Sequence, residues 1–155
     1  MNRVESRRHM YAGGRPNRWA RFLNRVSVLL FSLGIVGHGG VSLETVNPKS
    51  RTLLTLPLVV ARYDGGEYLV SMLGQGSRWV RNVRAANGKA VIRARRRRQV
   101  LLEEIPAAAR PPIIKAYLAQ APGARPHIPV DRSEPVAAFE AIAADFPVFK
   151  VRDVR

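Results

Sequence analysis

Residues 53–72 read LLTLPLVVARYDGGEYLVSM. From Leu53 to Tyr63 the residues are apolar and β-branched on both faces, which predicts a strand covered on both sides. Asp64-Gly65-Gly66 supplies the positive-φ residues that a tight hairpin needs, and Glu67 to Met72 is the returning strand. Pro57 has no amide hydrogen for a ladder, so its place inside the run demands a sheet edge, a bulge, or two strands kinked together. The centre of the chain is thus an antiparallel sheet.

Working outward, Asn47-Pro48-Lys49-Ser50 is a turn preceded by Val41–Val46, whose apolar positions alternate as in a strand. Gly37–Gly40 break the chain before it. Trp19, Phe22, Leu23, Val26, Leu29, Leu30 and Leu33 recur at helical spacing, which predicts an amphipathic helix from about Asn17 to Leu33. Residues 1–16 carry arginines, a Gly-Gly pair and no periodicity, and read as a flexible basic arm. On the other side, Ser77 is an expected N-cap for a helix that Asn87-Gly88 ends. Strands are expected at 90–94 and 100–104, joined through Arg95–Arg98. A helix over 106–121 is interrupted by Pro111-Pro112, and a second helix spans about 135–144. The stretch from Phe146 to Val154 is the last strand. Hairpin connections in place of helical crossovers give an α+β class, a small antiparallel β-barrel flanked by helices, with residues 17–155 as one domain.

The chain has 155 residues with 26 Lys plus Arg against 11 Asp plus Glu, a formal net charge of +15. A chain of this length can bury a core without staples. It has no cysteine, which excludes thiol nucleophiles, thiolate metal sites and disulfides. Its three histidines, His9, His38 and His127, form no ligand spacing with a carboxylate, so no metal is expected. Walker, dinucleotide and Gly-x-Ser-x-Gly motifs are absent, and Gly74-Gln75-Gly76 lacks the context of a dinucleotide fingerprint.

The surplus of arginine draws polyanions of any kind, so the alternative to an enzyme is a non-catalytic basic module that binds nucleic acid or anionic lipid through the N-terminal arm, the first helix and Arg95–Arg98. Arg95–Arg98 reads first as a solvated hairpin tip, since no aromatic residue interleaves there for base stacking, and this speaks against nucleic acid. The apolar run from Val26 to Val36 is too short to cross a bilayer, although the helix that contains it could touch a membrane surface peripherally. Ser6-Arg7-Arg8 suggests a twin-arginine signal, but Arg18, Arg21, Asn24 and Arg25 interrupt the apolar stretch that should follow. The expected location is the cytoplasm, as a monomer or homodimer.

Two segments are more specific. Lys49, Ser50, Arg51 and Thr52 occupy a turn between strands, where cations, hydroxyls and backbone amides can converge on a phosphate or carboxylate. Ser71, Met72, Leu73 and Gly74 leave a strand and run into Ser77, Trp79 and Asn82, where small residues and a helix N-terminus let a flat ring approach. Each has a plain structural alternative, a polar turn in the first case and a core tryptophan with a capping asparagine in the second.

Their order along the chain resembles the deazaflavin (F420)-dependent nitroreductase family of split β-barrel proteins. The matching path runs from Pro-Lys-Ser-Arg through Leu56-Pro57-Leu58, Asp64-Gly65-Gly66 and Tyr68-Leu69-Val70 to Ser77-x-Trp79-x-x-Asn82, and the resemblance extends over about residues 17–155. It implies a split barrel that binds coenzyme F420, with FMN as the alternative, and passes a hydride to a small electron-poor acceptor such as a quinone, nitro compound or activated alkene. By position, Lys49, Ser50, Arg51 and Thr52 would meet the anionic tail. Pro57, Ser71, Met72, Leu73 and Gly74 would border the ring, and Ser77, Trp79 and Asn82 would support that wall. No catalytic acid or base is evident; solvent or a hydroxyl such as that of Tyr117 would supply the proton. Asn47-Pro48 and Arg51 stand where the family has Gly-Arg and a second Gly.

Overall fold

The structure, a computed structural model, describes residues 40–154. The expected basic arm and the helix over 17–33 lie outside the described residues. Seven strands, β1 (Gly40–Val46), β2 (Leu53–Val59), β3 (Ala61–Tyr63), β4 (Gly66–Val70), β5 (Lys89–Arg93), β6 (Arg97–Glu104) and β7 (Val148–Asp153), form one antiparallel sheet in the order β2-β1-β5-β6-β7-β4-β3.

The two edge strands of that sheet are neighbours in sequence, separated only by the buried Val60. The run from Leu53 to Tyr63 is therefore one bent strand whose first half pairs with β1 and whose second half pairs with β4. The sheet curls into a split barrel around this bend. Pro57 sits opposite Ser42 on edge strand β2, where its missing N–H breaks no second ladder.

Two cores occupy the two faces of the sheet. Inside the barrel, Leu43, Leu69, Ile92, Val100, Leu102 and Phe149 are buried against Trp79, Val80 and Val83 of helix α1 (Arg78–Ala85), which plugs one end. The Trp79 and Phe149 rings meet at 5.5 Å between centroids. On the outer face, Tyr68, Val70 and Val148 pack under Ile113, Ile114, Tyr117 and Leu118 of helix α2 (Pro111–Gln120), with Phe139 and Phe146 closing the layer. The alternation along β4 produces this division, Leu69 pointing inward and its neighbours outward.

Turn chemistry follows the expected residues at two places. Asp64 and Gly65 take φ of 47° and 75° between β3 and β4, as a two-residue primed turn requires. Asn87 and Gly88 take φ of 55° and 86° after α1, and the Gly88 amide donates to the Val83 carbonyl at 2.8 Å.

Elsewhere the elements differ from expectation. Pro111 and Pro112 do not interrupt a helix; they occupy the first turn of α2, where a missing amide hydrogen costs nothing. The expected helix over 135–144 is two short 3₁₀ segments, Val136–Phe139 and Ala143–Asp145. Strand β6 begins at Arg97, so the tip of the β5–β6 hairpin shrinks to residues 94–96. Arg98 leaves the tip to pair with Asp153 and Glu67.

The antiparallel register gives the barrel two distinct ends. The β1–β2 turn, α1 and the segment following β4 lie at one. The β3–β4 and β5–β6 turns, the start of β1 and the end of β7 lie at the other.

Candidate functional site

Lys49, Ser50, Arg51 and Thr52 are all exposed at the α1 end of the barrel. Arg51 has φ of 57°, the left-handed conformation that glycine adopts without strain. The geometry of a glycine at this point of the turn is thus retained with an arginine in place. Among the described residues neither Lys49 nor Arg51 makes an ion pair, so both cations point outward unneutralised.

The backbone amides of the turn behave differently from the expected cradle. Asn47 Oδ1 accepts from the amides of Lys49 at 2.9 Å and Ser50 at 3.3 Å. The Arg51 amide donates to the Asn47 carbonyl at 2.7 Å, and that of Thr52 donates to Ser50 Oγ at 3.4 Å. An asparagine heading a turn signals this arrangement in the sequence. What the turn presents is therefore side chains, two cations and two hydroxyls.

The second segment is a buried clasp. Ser71 Oγ lies 2.8 Å from Ser77 Oγ and donates to the Gly74 carbonyl at 2.7 Å, and the Gly74 amide donates back to the Ser71 carbonyl. Ser77 occupies the N-cap position of α1, yet its hydroxyl makes no cap bond because Ser71 holds it. Asn82 reaches across to Thr45 Oγ1 at 3.1 Å, tying α1 to the end of β1 directly before the cationic turn. Ser71, Ser77, Trp79 and Asn82 are all buried, so the roles open to them are structural. Met72, Leu73 and Gly74 are half-buried and Pro57 likewise, which leaves them able to meet a ligand.

A network that the sequence reading does not anticipate braces this clasp. Arg84 of α1 donates through Nε and Nη2 to the two oxygens of Glu104, and Nη2 also donates to Gln75 Oε1, each at 2.8 Å. Gln75 in turn donates to the Ala144 carbonyl. Arg110, only 6% exposed, donates to Glu104 Oε2 and to the carbonyls of Ile105 and Ala143. The hydrogen bond from Arg84 holds the Glu104 carboxyl below its usual range, while burial lowers the Arg110 guanidinium from its own. Long-range pairing of this kind leaves no local pattern in a sequence.

Tyr117 corrects an expectation. It is buried in the outer core and burial raises its pKa, so its hydroxyl is unsuited to deliver a proton to an exposed ring. Among the described residues no group of three His, Asp or Glu side chains could hold a metal ion, and no helix is long and apolar enough to cross a membrane.

No family model and no curated protein matches the chain. Solved structures match it in fold. An Agrobacterium tumefaciens str. C58 protein of unknown function, Atu2129, superposes with a TM-score of 0.53 at 15% identity over 83% of this chain and 52% of its own, so the present chain spans about half of that protein. A chain solved as a domain-swapped dimer gives 0.53 at 18% identity, over 87% of this chain and 94% of its own. An F420-H2 dependent reductase gives 0.50 at 17% identity, over 76% of this chain and 96% of its own. The fold is the split β-barrel that these proteins share.

Proposed function

We propose that this protein is a deazaflavin-dependent oxidoreductase of the cytoplasm, passing a hydride from reduced coenzyme F420 to a small electron-poor acceptor such as a quinone, nitro compound or activated alkene. The observation that carries the reading is the exposed turn. Lys49 and Arg51 stand on it without acidic partners among the described residues, beside Ser50 and Thr52 and at the barrel end where the strand-exit wall also lies. Two free cations and two hydroxyls suit a multiply charged anionic tail. The split-barrel fold shared with an F420-H2 dependent reductase supports the same reading.

When bound, the cofactor supplies the hydride chemistry. The protein's own residues would bind and orient. Lys49 and Arg51 would hold the tail, and Met72, Leu73 and Gly74 would border the ring. Ser71, Ser77, Trp79 and Asn82 would keep that border fixed from behind. With Tyr117 buried, solvent is the proposed source of any proton. FMN is the second reading, because its phosphate would call on the same cations. The dimeric state of one structural neighbour makes a homodimer the assembly to look for alongside the monomer.

Replacing Lys49 with Ala tests the reading. F420 binding should weaken by about 1–3 kcal/mol, the scale of a charge-assisted contact, and the loss should shrink with added salt. Unchanged affinity at low salt would place the tail elsewhere.

A further inference from the structure

We infer that the barrel end opposite the cationic turn, carrying Arg95, Arg96 and Arg97, is a docking surface for an anionic lipid membrane. Arg95 and Arg96 are exposed at the tip of the β5–β6 hairpin, and Arg97 is exposed where β6 begins. Three of the four acids around them are already engaged. Glu44 pairs with Arg93, Glu67 and Asp153 both pair with Arg98, and Asp64 on the adjacent turn makes no ion pair with the tip. Among the described residues this hairpin end therefore holds three cations that make no ion pair.

The start of the described chain lies at the same place. Ser42 pairs with Arg93, so Gly40 sits level with the first residues of the tip. The segment that ends there, residues 1–39, contains seven arginines and a single acid, Glu5.

Apolar groups accompany these cations and select lipid over nucleic acid. Val154, whose amide donates to the Gln99 carbonyl beside the tip, is 52% exposed, and Tyr63 on the neighbouring turn is 37% exposed. Cations interspersed with exposed apolar and aromatic side chains suit the headgroup boundary, whereas single-stranded nucleic acid asks for rings stacked between the cations. Docking by this end leaves Lys49 and Arg51 turned away from the anionic surface, where a polyanionic ligand is not repelled.

The test is co-sedimentation of the full chain with vesicles of phosphatidylcholine alone and of phosphatidylcholine with phosphatidylserine. The wild type should partition onto the phosphatidylserine vesicles and be released by salt. The variant R95S/R96S/R97S should lose on the order of a hundredfold in partitioning, and R96S alone about fivefold. A charge-matched variant at other exposed positions, R78S/K89S/R132S, should lose far less. Equal losses in the two triple variants, or no binding by the wild type, would overturn the inference. So would tight binding of an oligonucleotide abolished in R95S/R96S/R97S with vesicle binding unchanged, which would assign the tip to nucleic acid. None of these outcomes depends on whether F420 binds.

Discussion

Asn47 Oδ1 accepts a hydrogen bond from the Lys49 amide at 2.9 Å, filling with a side-chain oxygen the position at which a bound anion's oxygen would otherwise sit. The turn is rigidified by its own asparagine and offers a ligand only what projects from it. Under the proposed function, recognition of the anionic tail would rest on Lys49, Ser50, Arg51 and Thr52 as side chains.

Arg51 separates stability from binding. Its φ of 57° carries strain that glycine lacks, partly offset by the greater freedom glycine has in the unfolded chain. Arg51→Gly should raise unfolding stability by about 0.5 kcal/mol in chemical denaturation. The same change should weaken F420 binding several-fold. Parallel movement of the two quantities would contradict the assignment of the side chain to the tail.

Glycine is required at one turn and only convenient at another. A Cβ on Gly88 would lie 2.5 Å from the Leu102 carbonyl oxygen, where the Leu102 amide also bonds the Gly88 carbonyl, so backbone would have to shift. Gly65 shares the positive φ but has no atom within 4 Å of its would-be Cβ. Gly88→Ala should cost on the order of 3 kcal/mol and Gly65→Ala about 1 kcal/mol, measured as shifts in urea midpoint.

Glu104 predicts an acid limb in stability. The hydrogen bond from Arg84 lowers its folded-state pKa, so the folded form binds its proton later than the unfolded form, which titrates near about 4.3. The stabilisation is complete above that value and is lost as pH falls through the depressed folded value. Thermal melts between neutral and strongly acid pH should show this loss, and Glu104→Gln should flatten it while lowering stability at neutral pH. An unchanged acid limb in that variant would show that other carboxylates produce it.

Trp79 is buried, its ring tilted at 58° against that of Phe149. Trp79→Phe should cost about 1–2 kcal/mol through lost packing. The folded fraction should retain F420 affinity within about twofold, far less change than Lys49→Ala produces. A tenfold loss at constant folded fraction would place the indole in contact with the ring.

The legibility of this protein in its sequence follows the range of each interaction. The Asp64-Gly65 hairpin and the Asn87-Gly88 stop are dictated by the conformational limits of the residues themselves and are found, and of the edge, bulge or kink that Pro57 demands the structure shows an edge strand. Pro111-Pro112 reads in the sequence as an interruption, but a proline pair can also begin a helix, and the packing of Ile113 and Tyr117 under β4 makes it the first turn. The stretch 135–144 has helical composition but folds as two 3₁₀ segments, with Phe139 and Phe146 both held in the outer core by tertiary contact. At the site, the exposed cations of the turn are legible as charge. The clasp of Ser71 with Ser77 and the bracing of Glu104 by Arg84 and Arg110 join residues by tertiary contact, which residue types alone do not reveal.

The most direct measurement of the central claim is an absorbance titration of the purified full chain with coenzyme F420 and, separately, with FMN, at low and at moderate salt. Saturable binding of F420, stronger than that of FMN and weakened both by salt and by Lys49→Ala, is the predicted result. Saturable binding of neither cofactor, or binding of FMN alone, would contradict it.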